Sequence, residues 1–95
     1  MSDAAILRRA ASLLREAIAR PGSINGSWTK RMAAHALGRL GDIVALDSLL
    51  DDSDWFARLG AAEALAELPP GQGEAARQRA LRDWDGRVAQ AARRR

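Results

Sequence analysis

The run Lys30-Arg31-Met32-Ala33-Ala34-His35-Ala36-Leu37 is answered 28 positions later by Arg58-Leu59-Gly60-Ala61-Ala62-Glu63-Ala64-Leu65: a basic residue, then Ala-Ala-x-Ala-Leu, stated twice. Periods of roughly 20–50 residues mark stacked units, each with an apolar side too broad to hide by itself. A weaker third copy opens at Arg87-Val88 and runs into Ala91-Ala92. The fold class that follows is all-α, an α-α superhelix of helical hairpins.

Outward from that stretch, helical periodicity covers Trp28 to about Leu40, with Ser27 as N-cap and the small residues Ala33, Ala34 and Ala36 allowing close helix approach. Gly41 supplies a left-handed stop and Asp42 caps the next helix at once. That helix, Ile43 to Leu50, turns Ile43, Leu46, Leu49 and Leu50 inward and leaves Val44, Asp47, Ser48 and Asp51 on its free side. Two helices joined by two residues lie antiparallel, as a hairpin. Asp51-Asp52-Ser53-Asp54 then breaks the pattern, with Asp54 as cap of a helix from Trp55 to Leu68. Pro69-Pro70-Gly71-Gln72-Gly73 makes a longer loop before a helix over 74–82, and Asp83-Trp84-Asp85-Gly86 repeats the acidic turn before a last helix from 87 to about 93. Upstream, residues 3–20 form an amphipathic helix: Ile6, Leu7, Ala10, Leu13, Leu14, Ala17 and Ile18 share one side, and Arg8, Arg9, Ser12, Arg15, Glu16 and Arg20 the other. Ser2 or Asp3 caps its start. The single domain over 1–95 therefore divides into a capping helix at 1–20, a first repeat at 28–50, a second at 55–82 and a partial third at 87–95.

A chain of 95 residues buries a modest core, so stability must come from stacking. With no cysteine, disulfides and thiolate metal sites are excluded. Arg8, Arg9 and Arg15 interrupt the first helix, which argues against a secretory signal or a membrane span and leaves a soluble cytoplasmic protein as the expectation. The net charge of +3 conceals three blocks: +5 over residues 1–41, −6 over 42–67 and +4 over 68–95. A uniformly basic nucleic-acid binder would not be built this way.

Ala36-Leu37-Gly38-Arg39-Leu40-Gly41-Asp42, the Leu49-Leu50 helix, and Asp52-Ser53-Asp54-Trp55-Phe56-Ala57-Arg58 together resemble the HEAT-repeat superfamily, in particular the short HEAT-like repeats of the phycobilisome-lyase type. The resemblance covers 28–95 and leaves the first helix outside. Departures are the proline loop where a second Gly-Asp link would stand, Ala66 at the place of Gly38, and Ala89 at the place of the arginine. Such a resemblance implies binding through a concave face. Its lyase members act on bilin chromophores, but it carries no catalytic residue onto this chain.

Within the repeat, Arg58 is expected to bond across units to an acid such as Asp42 or Asp52, because a partly buried guanidinium wants a paired carboxylate; Lys30 earns the same expectation. His35, the one histidine, aligns with Glu63 and is read as an ordinary surface residue. Asp51, Asp52 and Asp54 open like a calcium loop but lack its glycine and closing glutamate, so helix capping explains them better. No cofactor or metal is expected. Trp28 and Trp55 stand at helix starts, where a ring can seal a small core. Trp84 has Ser53 as its counterpart, and is weighed evenly as a seal or a partner contact.

The second helices of such hairpins line the inner curve. Shifting by the 31 residues between Asp52 and Asp83 lays Val44, Asp47, Ser48 and Asp51 beside Ala75, Gln78, Arg79 and Arg82, an acidic row against a basic one. That surface favours a protein partner carrying both signs and opposes a continuous phosphate backbone. Arg77 and Glu74 replace Leu46 and Ile43, thinning the apolar side of the last full unit; alternatively 87–95 leave an open end for a second copy. A non-catalytic protein-interaction module is the expected function, with Val44, Asp47, Ser48, Asp51, Gln78, Arg79, Arg82 and Trp84 as contacts. The alternatives are a nucleic-acid-associated module using Arg8, Arg9, Arg15 and Arg93 to Arg95, or a small subunit of a lyase-like assembly.

Overall fold

Six helices and no strand occur among the described residues, 3–19 and 27–93 of a computed structural model. They are α1 (Asp3–Ala19), α2 (Ser27–Arg39), α3 (Ile43–Leu49), α4 (Trp55–Glu67), α5 (Glu74–Leu81) and α6 (Gly86–Ala91). None is long and apolar enough to cross a membrane. Ser2, the connector at 21–26 and the final Arg94-Arg95 lie outside the described residues, as does the side chain of Trp28. Ser27 opens α2 rather than standing before it as a cap.

The link between α2 and α3 closes as the sequence asks. The Asp42 N–H reaches back to the Leu37 carbonyl at 3.0 Å and the Gly41 N–H to that of Gly38 at 3.0 Å, the paired bonds of a glycine-terminated helix. Gly41 holds φ at 71°, where a β-carbon would be strained. Asp42 then accepts from the Ala45 N–H at 3.2 Å and starts α3.

The two acidic turns are built alike. Asp52 accepts from the Asp54 N–H at 2.9 Å, and Asp83 from the Asp85 N–H at 2.9 Å. Asp54 in turn accepts from the Phe56 N–H at 3.0 Å and Asp85 from the Arg87 N–H at 2.9 Å, so each turn is a pair of acids handing the chain into a helix. Both caps are extended, at ψ 114° and 116°.

Around these ends the packing is ordered by α4, which touches α2, α3, α5 and α6; α3 also touches α5, and α1 touches α2. Leu37, Leu46, Leu65 and Val88 are the largest fully buried side chains, and Leu37, Leu49 and Leu65 belong to one cluster. The alanines of the repeated run do what their size allows. Ala34, Ala61, Ala62 and Ala64 are buried, and α4 comes so near α2 that a β-carbon on Gly60 would lie 2.8 Å from the Arg31 Cα. Small side chains here exchange hydrophobic bulk for close backbone approach.

Helix α1 departs from expectation. Ile6 and Leu13, placed by periodicity on the packed side, are 50% and 55% exposed. Arg15, placed on the free side, instead forms a two-pronged ion pair with Asp42, from Nε at 2.6 Å and Nη2 at 2.5 Å. Ala11 rests against the core beside that ion pair, while the side chains of Leu7, Leu14, Ala17 and Ile18, placed on the same packed side, lie outside the described residues.

Candidate partner-binding surface

The surface is built from the free side of α3, the free side of α5 and the turn that follows α5. On α3, helical spacing that buries Leu46, Leu49 and Leu50 leaves Val44, Ser48 and Asp51 exposed and Asp47 half-buried. On α5, Ala76 and Ala80 point inward while Ala75, Gln78, Arg79 and Arg82 are exposed. Helix contact between α3 and α5 sets the acidic row beside the basic one. Arg79 spans the join: Nη1 meets Asp47 Oδ1 at 2.5 Å and Nη2 meets Asp51 Oδ1 at 2.7 Å, and Nη1 also donates to the Asp47 carbonyl at 3.3 Å. Hydrogen bonds from Asp47 above all, and the charges of both acids, raise the Arg79 guanidinium above its already high value.

The row is therefore already paired within the molecule. Val44, 70% exposed, is its apolar element, and Gln78 and Arg82 extend its polar one. Trp84 is 84% exposed and stands apart from the row: the Arg58 guanidinium lies 5.1 Å from its ring centre. Arg58 corrects the expected pairing. Its carboxylate partner is Asp83, Nε to Oδ2 at 3.0 Å, and not Asp42; toward Asp52 it gives Nη1 to the backbone carbonyl at 2.8 Å, with a second bond to the Ser53 carbonyl at 3.2 Å. Lys30 does take the Asp52 carboxylate, at 3.1 Å. Each cation thus pairs with the acid of the turn that follows its own hairpin, and Asp42 is occupied by Arg15 instead.

A second cluster escaped the sequence reading. Arg31 grips Glu63 with Nε and Nη2, both at 2.6 Å, and His35 Nε2 is 3.2 Å from the same carboxylate, so the histidine is half-buried between α2 and α4 and not a plain surface residue. Burial pushes the Glu63 carboxyl up, but the hydrogen bonds from Arg31 and His35 outweigh it and hold the group below 4.5. The signal was present: residues one repeat apart face each other on neighbouring helices, and His35 and Glu63 are 28 apart. Beside them His35, Arg39 and Glu67 line a shallow depression of about 200 Å³. No group of three or more His, Cys, Asp or Glu side chains among the described residues is placed to hold a metal ion.

At the start of α4 an arginine guanidinium stacks on a tryptophan ring. Trp55 is half-buried, set edge-on to Phe56 at 5.2 Å, and covered by the Arg87 guanidinium 3.5 Å from its centre. Arg87 also donates to Asp85 from Nε at 3.1 Å and Nη2 at 2.9 Å, which brings the Asp85 carboxyl down to about 2. Arg77, standing where a leucine stood one repeat earlier, reaches the Ala92 carbonyl at the end of α6 at 3.0 Å and pairs with Glu74 at 3.1 Å. Comparison with protein-family profiles, with curated proteins and with solved structures finds no match to this chain.

Proposed function

We propose that this chain is a non-catalytic protein-binding module of stacked helical hairpins, a short HEAT-like superhelix that docks a partner on the α3–α5 face. Support for the stacking comes from recurrence: the Lys30–Asp52 pair at 3.1 Å and the Arg58–Asp83 pair at 3.0 Å each tie the first helix of a hairpin to the acidic turn that leads into the next unit. The observation that carries the docking face is Arg79, whose two exposed ion pairs hold the acidic and basic rows in one band. Exposed pairs of this kind contribute little to stability, roughly 0–1 kcal/mol, so they are readily exchanged for a partner's charges. A partner presenting both signs, with an aliphatic residue for Val44, fits that band.

Affinity capture from the native host with the intact chain tests the reading against an Asp47→Lys/Asp51→Lys variant. The expected result is a specific protein held by the first and lost by the second. Retention of the same proteins by both would remove the docking face. The nucleic-acid alternative rests on Arg8 and Arg9, both exposed on α1, and predicts DNA or RNA affinity that falls steeply as salt is raised. The cytoplasm, a monomer or a homodimer through the α6 end, and the lyase-assembly alternative complete the proposal, the last losing ground if His35→Ala leaves function intact.

A further inference from the structure

Two observations meet at the second acidic turn. Among the described residues Trp84 is the most exposed of the large apolar side chains, at 84%, although its ring lies against the guanidinium of Arg58, a residue only 5% exposed. That guanidinium uses Nε on Asp83 and Nη1 on the Asp52 and Ser53 carbonyls, and Nη2 alone has no hydrogen-bond partner among the described residues. A buried donor left unmade is costly, on the order of 1–3 kcal/mol, and calls for an explanation. The first acidic turn has neither feature: Ser53 stands at the place of Trp84, and Lys30 at that of Arg58.

We infer that Arg58 Nη2 and Trp84 together form a contact point for an extended peptide segment of a partner, Nη2 donating to a backbone carbonyl and the indole closing over the adjoining apolar side chain. An exposed ring changes rotamer on a fast timescale, so Trp84 swings off the guanidinium, admits the carbonyl and returns over the peptide. A neutral carbonyl fits better than a carboxylate. Asp83 already neutralises Arg58, and Arg87 already neutralises Asp85, the cap of the same turn, so no unpaired positive charge is left for a third acid. Tryptophan and arginine are also the side chains on which binding energy concentrates. The inference rests on the protein-binding reading but uses a different part of the surface.

The test pans the full chain against a displayed library of random linear peptides. Enriched peptides are expected to lose at least about tenfold in affinity with Trp84→Ser, which restores the residue of the first turn, and with Arg58→Lys. Replacing the bound amide of the peptide by an ester, whose carbonyl is a weaker acceptor, is expected to weaken binding to the unaltered chain. The ester arm keeps the test decisive if Arg58→Lys fails to fold. No enriched peptide, or affinity indifferent to Trp84→Ser, overturns the inference. Peptides that depend on Asp47 and Asp51 but not on Trp84 overturn it while leaving the α3–α5 reading intact; the reverse pattern does the opposite.

Discussion

The junction from α2 to α4 and the junction from α4 to α6 use the same plan with opposite emphasis. In the first, two helices of 13 residues meet along a run of alanines and Gly60, and the Lys30–Asp52 pair beside them is partly open, its side chains 27% and 17% exposed. In the second, α6 has 6 residues, and the Arg58–Asp83 pair is enclosed, at 6% and 8%. Lysine is a hydrated point charge, whereas the arginine fork also takes two backbone carbonyls. The comparison teaches that where apolar contact is long, the ion pair is an accessory, and where it is short, a buried and hydrogen-bonded charge holds the register.

Breaking the cation at each junction should expose that difference most. Arg58→Ala strands Asp83 and is expected to cost about 3–5 kcal/mol, and Lys30→Ala no more than about 1 kcal/mol, both read by urea unfolding. Equal losses would dissolve the contrast. Next in size is Gly60→Ala, whose β-carbon would meet the Arg31 backbone at 2.8 Å; a loss of about 1–3 kcal/mol is expected from overpacking the long junction. Gly38→Ala, where the nearest atom is the Ala64 Cβ at 3.0 Å, should cost less.

Acid should weaken both junctions through one group each. The Glu63 carboxyl sits below 4.5 and the Asp85 carboxyl at about 2, against 3.8, when folded. Because the folded values are depressed, this stability is present above the unfolded values and is lost as pH falls through the folded ones. Thermal melting should show a decline as pH falls below about 4.5, made shallower by Glu63→Gln, and by Asp85→Asn toward pH 2. The smallest effect belongs to the α3–α5 face: Arg79→Ala, with 43% of its side chain exposed, is expected to change stability by no more than about 1 kcal/mol.

Much of this was legible in the residues. Helix limits, the Gly41 stop, the caps at Asp42 and Asp54, the second acidic turn at 83–86, and the inward leucines of α3 follow from period and capping chemistry, which act within a few residues. What the sequence concealed was which partner a charge would choose. Arg58 took Asp83 over Asp42, and Arg31 took Glu63, because those choices depend on how far each hairpin is displaced past its neighbour. On α1, Ile6 and Leu13 stay exposed for a related reason: a stripe states which side is apolar, not whether the neighbouring surface reaches far enough to cover each of its residues. The residues proposed for docking lie on free sides, but their mutual pairing through Arg79 needed the spacing between helices.

Asp42 carries a further implication. One carboxylate starts α3 and also fastens α1, so two segments far apart in the chain depend on a single ionisable group. An asparagine there would still begin the helix yet release the N-terminal segment, whereas alanine at position 15 would free that segment and leave the helix start intact. Anchoring of the first helix is thus separable from damage to the second hairpin's start, and the same carboxylate answers for both.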